Sequence, residues 1–246
     1  MAVPPANTDC VGDPTGDVVR TQPFVVSVAD VCYCHWPVEA DRLARSVPEW
    51  LTVETASGSA WLTAIPHTVN AVAAFGVDLG RPVEALTVRT YVRGPADQRG
   101  LYFFAVVAGA GLPAVATPIL GLPVRDGRPG RTTVDGETRR TLDMDGRRVL
   151  DVRYPTETET PSTAPPDSLA SFLVERDRFY TEGPLGGKLR GDVGHDPWQV
   201  AAVDATVTGS LSPVLDLPEP VGEPLCHYSP GNELSVAPPT PVWFGR

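Results

Sequence analysis

The chain has 246 residues, of which 42% are hydrophobic and 7% aromatic, and this much apolar surface argues against wholesale disorder. Its 30 acidic and 20 basic residues give a net charge of −10, which argues against partners such as nucleic acid or an anionic membrane, because both bind clustered basic charge. The length suits one all-β domain, and we expect a single core.

The basic residues are biased towards arginine, since Lys188 is the single lysine. Arginine in place of lysine, together with an excess of carboxylates, is typical of a salt-adapted protein from a halophile. A genome that favours arginine codons would give the same pattern. The sequence leaves both explanations open.

The N-terminal segment does not resemble a targeting signal. Met1 to Val11 has neither a basic stretch nor an apolar stretch. No run approaches the ~18 apolar residues of a membrane span. We therefore expect a cytoplasmic protein with free thiols at its four cysteines, Cys10, Cys32, Cys34 and Cys226.

The first elements follow a loosely ordered lead-in over residues 1–22. Phe24 to Trp36 is rich in β-branched and aromatic residues, which predicts a buried strand that Pro37 ends. Glu39 to Val47 has early acids and late arginines, which predicts a short helix that Pro48 stops.

Short strands separated by turn signals follow, so alternating βα units are not expected. Thr132 to Arg153 predicts a hairpin meander at the edge of a barrel, with an exposed face that carries Arg139, Arg140, Arg147 and Arg148.

The remaining segments are a loop, a helix and a tail. Pro155 to Pro166 predicts a loop, and Asp167 is the expected N-cap of a helix from Ser168 to about Tyr180. The proline-dense tail, Ser212 to Arg246, is expected to cover the surface with few ladder hydrogen bonds. Residues 23–246 would thus form one domain.

Several motifs, in this order and spacing, together resemble the YqjF-like family of uncharacterised proteins in the acetoacetate decarboxylase-like superfamily. They are His35-Trp36-Pro37-Val38, Val47-Pro48, Val88-Arg89-Thr90-Tyr91-Val92, Gly100-Leu101-Tyr102-Phe103-Phe104, Gly121-Leu122-Pro123, Phe172-Leu173-Val174-Glu175-Arg176, His195-Asp196-Pro197-Trp198 and Glu223-Pro224-Leu225-Cys226-His227-Tyr228-Ser229-Pro230. The resemblance implies a mainly β fold, a closed antiparallel β-barrel with a few short outer α-helices and an internal cavity.

The resemblance also bears on catalysis, since the decarboxylases use a lysine that forms a Schiff base with a β-keto acid. The matching place here is Pro123-Val124-Arg125, which offers no nucleophilic amine. Lys188 follows Gly186-Gly187 in a predicted turn, which is a poor place to bury an amine. We therefore expect no lysine-dependent decarboxylation and no cofactor.

Arg89 is the most suggestive candidate for ligand binding, because it is charged within a strongly β-forming run. An inward-facing guanidinium would clamp a ligand carboxylate. An equally good alternative is a structural ion pair with Glu84 or Glu175.

The other candidates are weaker. Trp36, Tyr91, Tyr102 and Arg176 are candidate ligand-binding residues, and His35, His195 and Glu175 are candidate catalytic groups. His67 is interpreted as a packing residue. No metal site is expected, because Cys32 and Cys34 share one face of a strand while His35 points to the other, even if Cys226-His227 lay nearby.

The sequence therefore predicts a barrel that binds a compact organic acid or carbonyl compound. The alternative is a non-catalytic sensor or scaffold whose barrel is filled by its own side chains. The oligomeric state is not predicted.

Overall fold

A computed structural model describes residues 24–74, 77–78, 80–109, 120–183 and 186–242. The predicted lead-in and Cys10 lie outside these ranges. Within them, no helix is long and apolar enough to cross a membrane. The helices are α1 Ala40–Leu43, α2 Leu169–Val174 and α3 Ser212–Leu215, with the 3-10 turns η1 Ala44–Ser46 and η2 Pro95–Asp97. The strands are β1 Phe24–Val38, β2 Thr52–Val53, β3 Ala60–Ala74, β4 Val77–Asp78, β5 Val83–Arg93, β6 Arg99–Ala108, β7 Arg128–Val134, β8 Glu137–Met144, β9 Arg147–Pro155, β10 Ser162–Thr163, β11 Arg178–Glu182, β12 Lys188–Gly194, β13 Gln199–Ala202, β14 Thr206–Gly209, β15 Leu225–Val236 and β16 Thr240–Pro241.

The main sheet has the strand order β15-β1-β3-β5-β6-β11-β12 at its centre. The pairs are antiparallel except for β6 and β11, which run parallel through Phe179–Leu101 and Tyr180–Tyr102. Strand β12 also pairs with β15, through Val193–Val236 and Gly194–Ser235, so the two ends of this run are hydrogen-bonded to each other. The molecule is thus mainly β.

A second sheet, in the order β14-β9-β8-β7, packs against one face of the main sheet. Its buried residues, such as Leu142 and Leu150, share a core with Cys32 and Cys34 of β1. The predicted meander is therefore present, but it belongs to this separate sheet instead of forming an edge of the main one.

Strand β1 changes the face that it presents to the interior at Asp30. This residue has a positive φ of 49°, and the register of β1 against β3 shifts between Ala29 and Cys34. On β15, Gly231 pairs with Ala29 and has a φ of 135°. A Cβ on Gly231 would lie 2.0 Å from the Val28 oxygen, so the close approach of the two backbones requires glycine.

The predicted helix after residue 167 is shorter than expected. Helix α2 ends at Val174, and its N-cap is Ser168, whose Oγ accepts the Ser171 N–H at 3.1 Å, instead of Asp167. Residues 178–182 form β11, because pairing with β6 and β12 outweighs local helix propensity. The predicted helix after residue 39 is present as α1 and η1.

The tail prediction is wrong for its central part. Strand β15 pairs with β1 from Phe24–Val236 to His35–Leu225, so it is a central strand with a full ladder. Its single proline, Pro230, lies opposite Asp30 at the distorted position, where a missing N–H costs least.

Candidate functional site

A cavity of ≈ 210 Å³ lies on the face of the main sheet that is turned away from the second sheet. Residues from β1, β3, β5, β6, β11, β12 and β15 line it. The walls are mostly aliphatic and aromatic, and six residues add polar groups, namely Tyr33, His67, Thr87, Arg89, Arg176 and His195. A largely apolar cavity with a few convergent polar groups is the usual form of a small-molecule site.

Arg89 is a buried cation on this wall. Its Nη2 donates to the Leu173 oxygen at 3.2 Å, and its Nε has no hydrogen-bond partner among the described residues. Its guanidinium carbon lies 5.7 Å from the centre of the Tyr33 ring. Over the same part of the chain, no carboxylate forms an ion pair with Arg89.

The two carboxylates considered as partners of Arg89 are engaged elsewhere. Glu84 pairs with Arg140, and Glu175 accepts the Trp198 N–H at 2.8 Å. The structure therefore does not contain the alternative that the sequence left open, an ion pair of Arg89 with Glu84 or Glu175. A buried guanidinium without an anion is costly, so this position favours an anion that comes from outside the chain.

A chain of hydrogen bonds behind Arg89 fixes the tautomer of His35. The Leu173 carbonyl can only accept, so Tyr91 donates its hydroxyl proton there, at 2.6 Å. Tyr91 must then accept from Thr63 at 2.8 Å, and Thr63 must accept from His35 Nδ1 at 2.9 Å. His35 therefore carries its proton on Nδ1.

His35 and Tyr91 are not among the residues that line the cavity. Burial lowers the pKa of His35 well below its usual value, and its Nε2 has no partner among the described residues. Together with Thr63, they support the Leu173 carbonyl that Arg89 also contacts. The structure thus gives both residues positions behind the wall instead of on it.

His67 is a polar residue of the wall that sequence reasoning interpreted as packing. Its Nδ1 lies 2.8 Å from the Ile65 oxygen, which can only accept, so Nδ1 carries the proton. Burial lowers the pKa of His67 to about 4, so the ring is neutral at pH 7 and Nε2 is an unprotonated acceptor. No sequence signal indicates this, because it depends on a local carbonyl.

Arg176 lines the cavity but has an ion pair. Its Nη2 lies 3.2 Å from Glu54, whose carboxylate also contacts Arg93 and Arg99. Burial lowers the pKa of Arg176 to about 10, which still leaves it charged. Arg176 and Arg99 also line an adjacent depression that contains Glu175 and the backbone next to it.

His195 lines both the cavity and this depression. Its Nε2 lies 3.0 Å from the Arg176 oxygen and its Nδ1 lies 2.9 Å from the Asp196 oxygen. Both ring nitrogens thus face carbonyl oxygens of the protein, and neither is directed at a ligand in the cavity in this conformation. Glu175, held by Trp198 N–H, is 3.9 Å from His195 Nδ1 and does not line the cavity.

Besides Tyr91, two predicted ligand-binding residues do not line the cavity. Trp36 and Tyr102 do not line the cavity and pack against the core between the two sheets. The physical reason is strand alternation, since Leu101 and Phe103 face the cavity and Tyr102 must point the other way. Tyr33 takes the inward position on β1 that the prediction gave to Trp36.

The cysteines and histidines of β1 and β15 lie close together in the sheet but on its opposite faces. Cys34 pairs with Cys226 on the face towards the second sheet, whereas His35 and His227 lie on the opposite face with their rings 5.4 Å apart. Over the described residues, no group of three or more metal-ligating side chains converges. Cys32, Cys34 and Cys226 are free thiols.

The single lysine lies away from the cavity wall. Lys188 Nζ is 5.7 Å from the centre of the Trp50 ring, and Lys188 is not among the lining residues. Arg125, which belongs to the segment expected to match the decarboxylase lysines, is exposed.

Known structures identify the class of fold. The chain is similar to the enduracididine biosynthesis enzyme MppR complexed with pyruvate, with a TM-score of 0.67 and 16% identity over 97% of this chain and 98% of that one. It is also similar to acetoacetate decarboxylase from Legionella pneumophila, with a TM-score of 0.63 and 10% identity over 90% of this chain and 87% of that one. The fold is therefore acetoacetate decarboxylase-like.

The family follows from the sequence comparisons. The chain belongs to the DUF2071 family, "Uncharacterized conserved protein (COG2071)", whose model matches residues 26–233. It is 28% identical over 218 residues to "Uncharacterized protein YqjF" of Bacillus subtilis (strain 168), which covers 83% of this chain and 86% of the relative.

Proposed function

We propose that this protein is a small-molecule-binding β-barrel whose interior binds a compact organic acid or carbonyl compound. The seven strands from β15 round to β12 would form the closed wall, because their ends are hydrogen-bonded to each other. The observation that carries the proposal is Arg89, a buried guanidinium on the cavity wall with no carboxylate partner among the described residues.

The ligand carboxylate would lie against Arg89, whose Nε has no partner among the described residues and whose terminal nitrogens carry N–H groups besides the one given to the Leu173 oxygen. Arginine binds carboxylates through two parallel N–H···O bonds, and such charge-assisted bonds are strong in an apolar cavity. That the related MppR was solved in complex with pyruvate supports this ligand class for the fold. The non-catalytic alternative with a filled barrel is disfavoured by the volume of the cavity.

We also propose that the protein does not use Schiff-base chemistry. The supporting observation is the position of its one lysine, away from the cavity wall. If the protein is an enzyme, His67 is the group best suited to accept a proton, because it is neutral and its Nε2 carries the lone pair.

The experiment is Arg89→Met, with Arg42→Met as control, because Arg42 is exposed and lies outside the cavity. In a thermal-shift screen of organic acids that includes pyruvate and acetoacetate, at least one acid should raise the Tm of the wild type and of Arg42→Met. Arg89→Met should show no shift with that acid.

The unliganded variant provides a second readout. Over the residues that the structure describes, Arg89 makes one hydrogen bond, to the Leu173 carbonyl that also accepts from Tyr91. Its replacement by a side chain of similar length should therefore leave the Tm unchanged or raise it. An Arg89→Met variant that binds acids like the wild type would refute the proposal, as would a loss of several degrees in its unliganded Tm, which would indicate a structural role.

A further inference from the structure

We infer that the ligand is a monocarboxylate with an apolar body of about six to eight carbons, a narrower class than compact organic acids in general. This inference rests on the proposed function, because it takes the cavity and Arg89 as the binding site. Beyond the proposed function, it specifies the size, polarity and charge of the part of the ligand that does not contact Arg89.

The walls set the polarity of the ligand body. The residues that line the cavity are aliphatic, Phe, Tyr or Trp, except for His67, Thr87, Arg89, Arg176 and His195. Aromatic rings from separate parts of the chain meet around it, with Phe103 and Phe179 5.9 Å apart and Tyr33 and Trp198 5.6 Å apart. Such walls provide dispersion contacts and few hydrogen-bond partners, so they favour a hydrocarbon chain or ring.

The volume sets the size of the body. An apolar cavity of roughly 150 Å³ stays dry and binds a benzene-sized molecule, and the cavity here measures ≈ 210 Å³. A two- or three-carbon acid at Arg89 would leave most of this space to be filled by water. Each buried water needs two to four polar partners, which these walls offer only near the six polar residues.

The charges indicate a single carboxylate. Arg89 lacks an anion, whereas Arg176 already pairs with Glu54 at 3.2 Å. His67 is neutral and therefore does not attract a second anion. In the adjacent depression, which Glu175 and Asp177 also line, Arg99 is likewise paired with Glu54 and so adds no unpaired cation for a second anion.

The test is calorimetric titration of the full-length protein with a series of acids: acetate, pyruvate, butyrate, hexanoate, octanoate, benzoate and phenylacetate. The Kd should fall about fourfold for each added methylene until the cavity is full, at about six to eight carbons, and longer acids should then bind more weakly. Hexanedioate should bind at least about 100-fold more weakly than hexanoate, since its second charge would be buried without a partner.

Two truncations at leucine locate the binding site. Leu101→Ala enlarges the cavity and should shift the preferred chain length upward by one or two carbons. Leu142→Ala is the matched control, because Leu142 is equally buried but belongs to the core between the sheets. It should lower the Tm without changing the order of affinities.

The outcomes separate this inference from the proposed function. If acetate and pyruvate bind more tightly than hexanoate and benzoate, and Arg89→Met abolishes that binding, the apolar class is wrong and the proposed function stands. If no acid in the series binds, or if Arg89→Met binds them unchanged, both fail. If Leu142→Ala shifts the chain-length preference and Leu101→Ala does not, the cavity is not the site.

Discussion

Arg89 and His67 differ in how far the sequence predicts them. A charged residue in a β-forming run must face either water or a cavity, so Arg89 could be selected from its neighbours alone. The state of His67 depends on the Ile65 carbonyl and on burial, and neither is visible in the sequence. The same holds for His35, whose tautomer is set by Thr63 and Tyr91.

His67 should make the free energy of unfolding decrease at acid pH. Its pKa is about 4 in the folded protein and about 6.5 when unfolded, so the unfolded chain binds more protons between these values. Stability should therefore fall as the pH drops from 6.5 to 4, by up to about 3 kcal/mol from this residue. His67→Phe should remove that part of the slope.

Urea unfolding of the two proteins at several values between pH 7 and pH 4.5 measures this effect. Lowered pKa values of His35 and His227 act in the same direction, so the variant should retain some acid sensitivity. Parallel stability curves for wild type and His67→Phe would show that His67 is not held neutral by the fold.

At the scale of secondary-structure elements, the sequence predicts where the strands lie better than it predicts which of their side chains point inward. The long first strand, the helix after residue 39 and the meander were all visible in the sequence as patterns of β-branched residues, prolines and Asp-Gly turns. The face that β1 turns inward changes at Asp30, and composition gives no sign of this distortion. For that reason, Trp36 was predicted to point towards the cavity when it points away from it. Strand β15 was taken for irregular tail because prolines surround it.

In the meander, strand alternation places the neighbouring residues Arg139 and Arg140 on opposite faces of the second sheet. Arg139 is partly exposed, as predicted, and it pairs with Asp151. Arg140, which was also predicted to be exposed, has only 1% of its side chain exposed. It turns towards the main sheet, where it contacts Asp30 and Glu84, and it also contacts Tyr154 of β9 in its own sheet. Arg140 therefore joins the second sheet to β1 and β5.

Replacing these two arginines separately should give very different results. Arg140→Met leaves Asp30 and Glu84 partly buried without this cation and should cost about 3 kcal/mol or more. Arg139→Met removes a half-exposed cation, and its buried partner Asp151 keeps Arg148 and Arg153, so chemical unfolding should detect a much smaller loss. Equal losses for the two variants would contradict the assignment of Arg140 as the link between the sheets.

For the whole molecule, the fold class was accessible from motif order and turn spacing, while the contents of the interior were not. Strand alternation and bulges decide which side chains meet inside, and they act over many residues that are distant in sequence. The combination that matters here is a guanidinium that has no ion-pair partner among the described residues and lines a largely apolar cavity. It becomes visible only when seven strands are brought together.

An experimental structure of the protein crystallised with hexanoate tests the central claim most directly. We predict that a carboxylate oxygen will lie about 2.7–2.9 Å from a guanidinium nitrogen of Arg89, with the alkyl chain against Phe103 and Phe179. A structure in which Arg89 pairs with a carboxylate of the protein itself, or in which side chains fill the hollow, would contradict it.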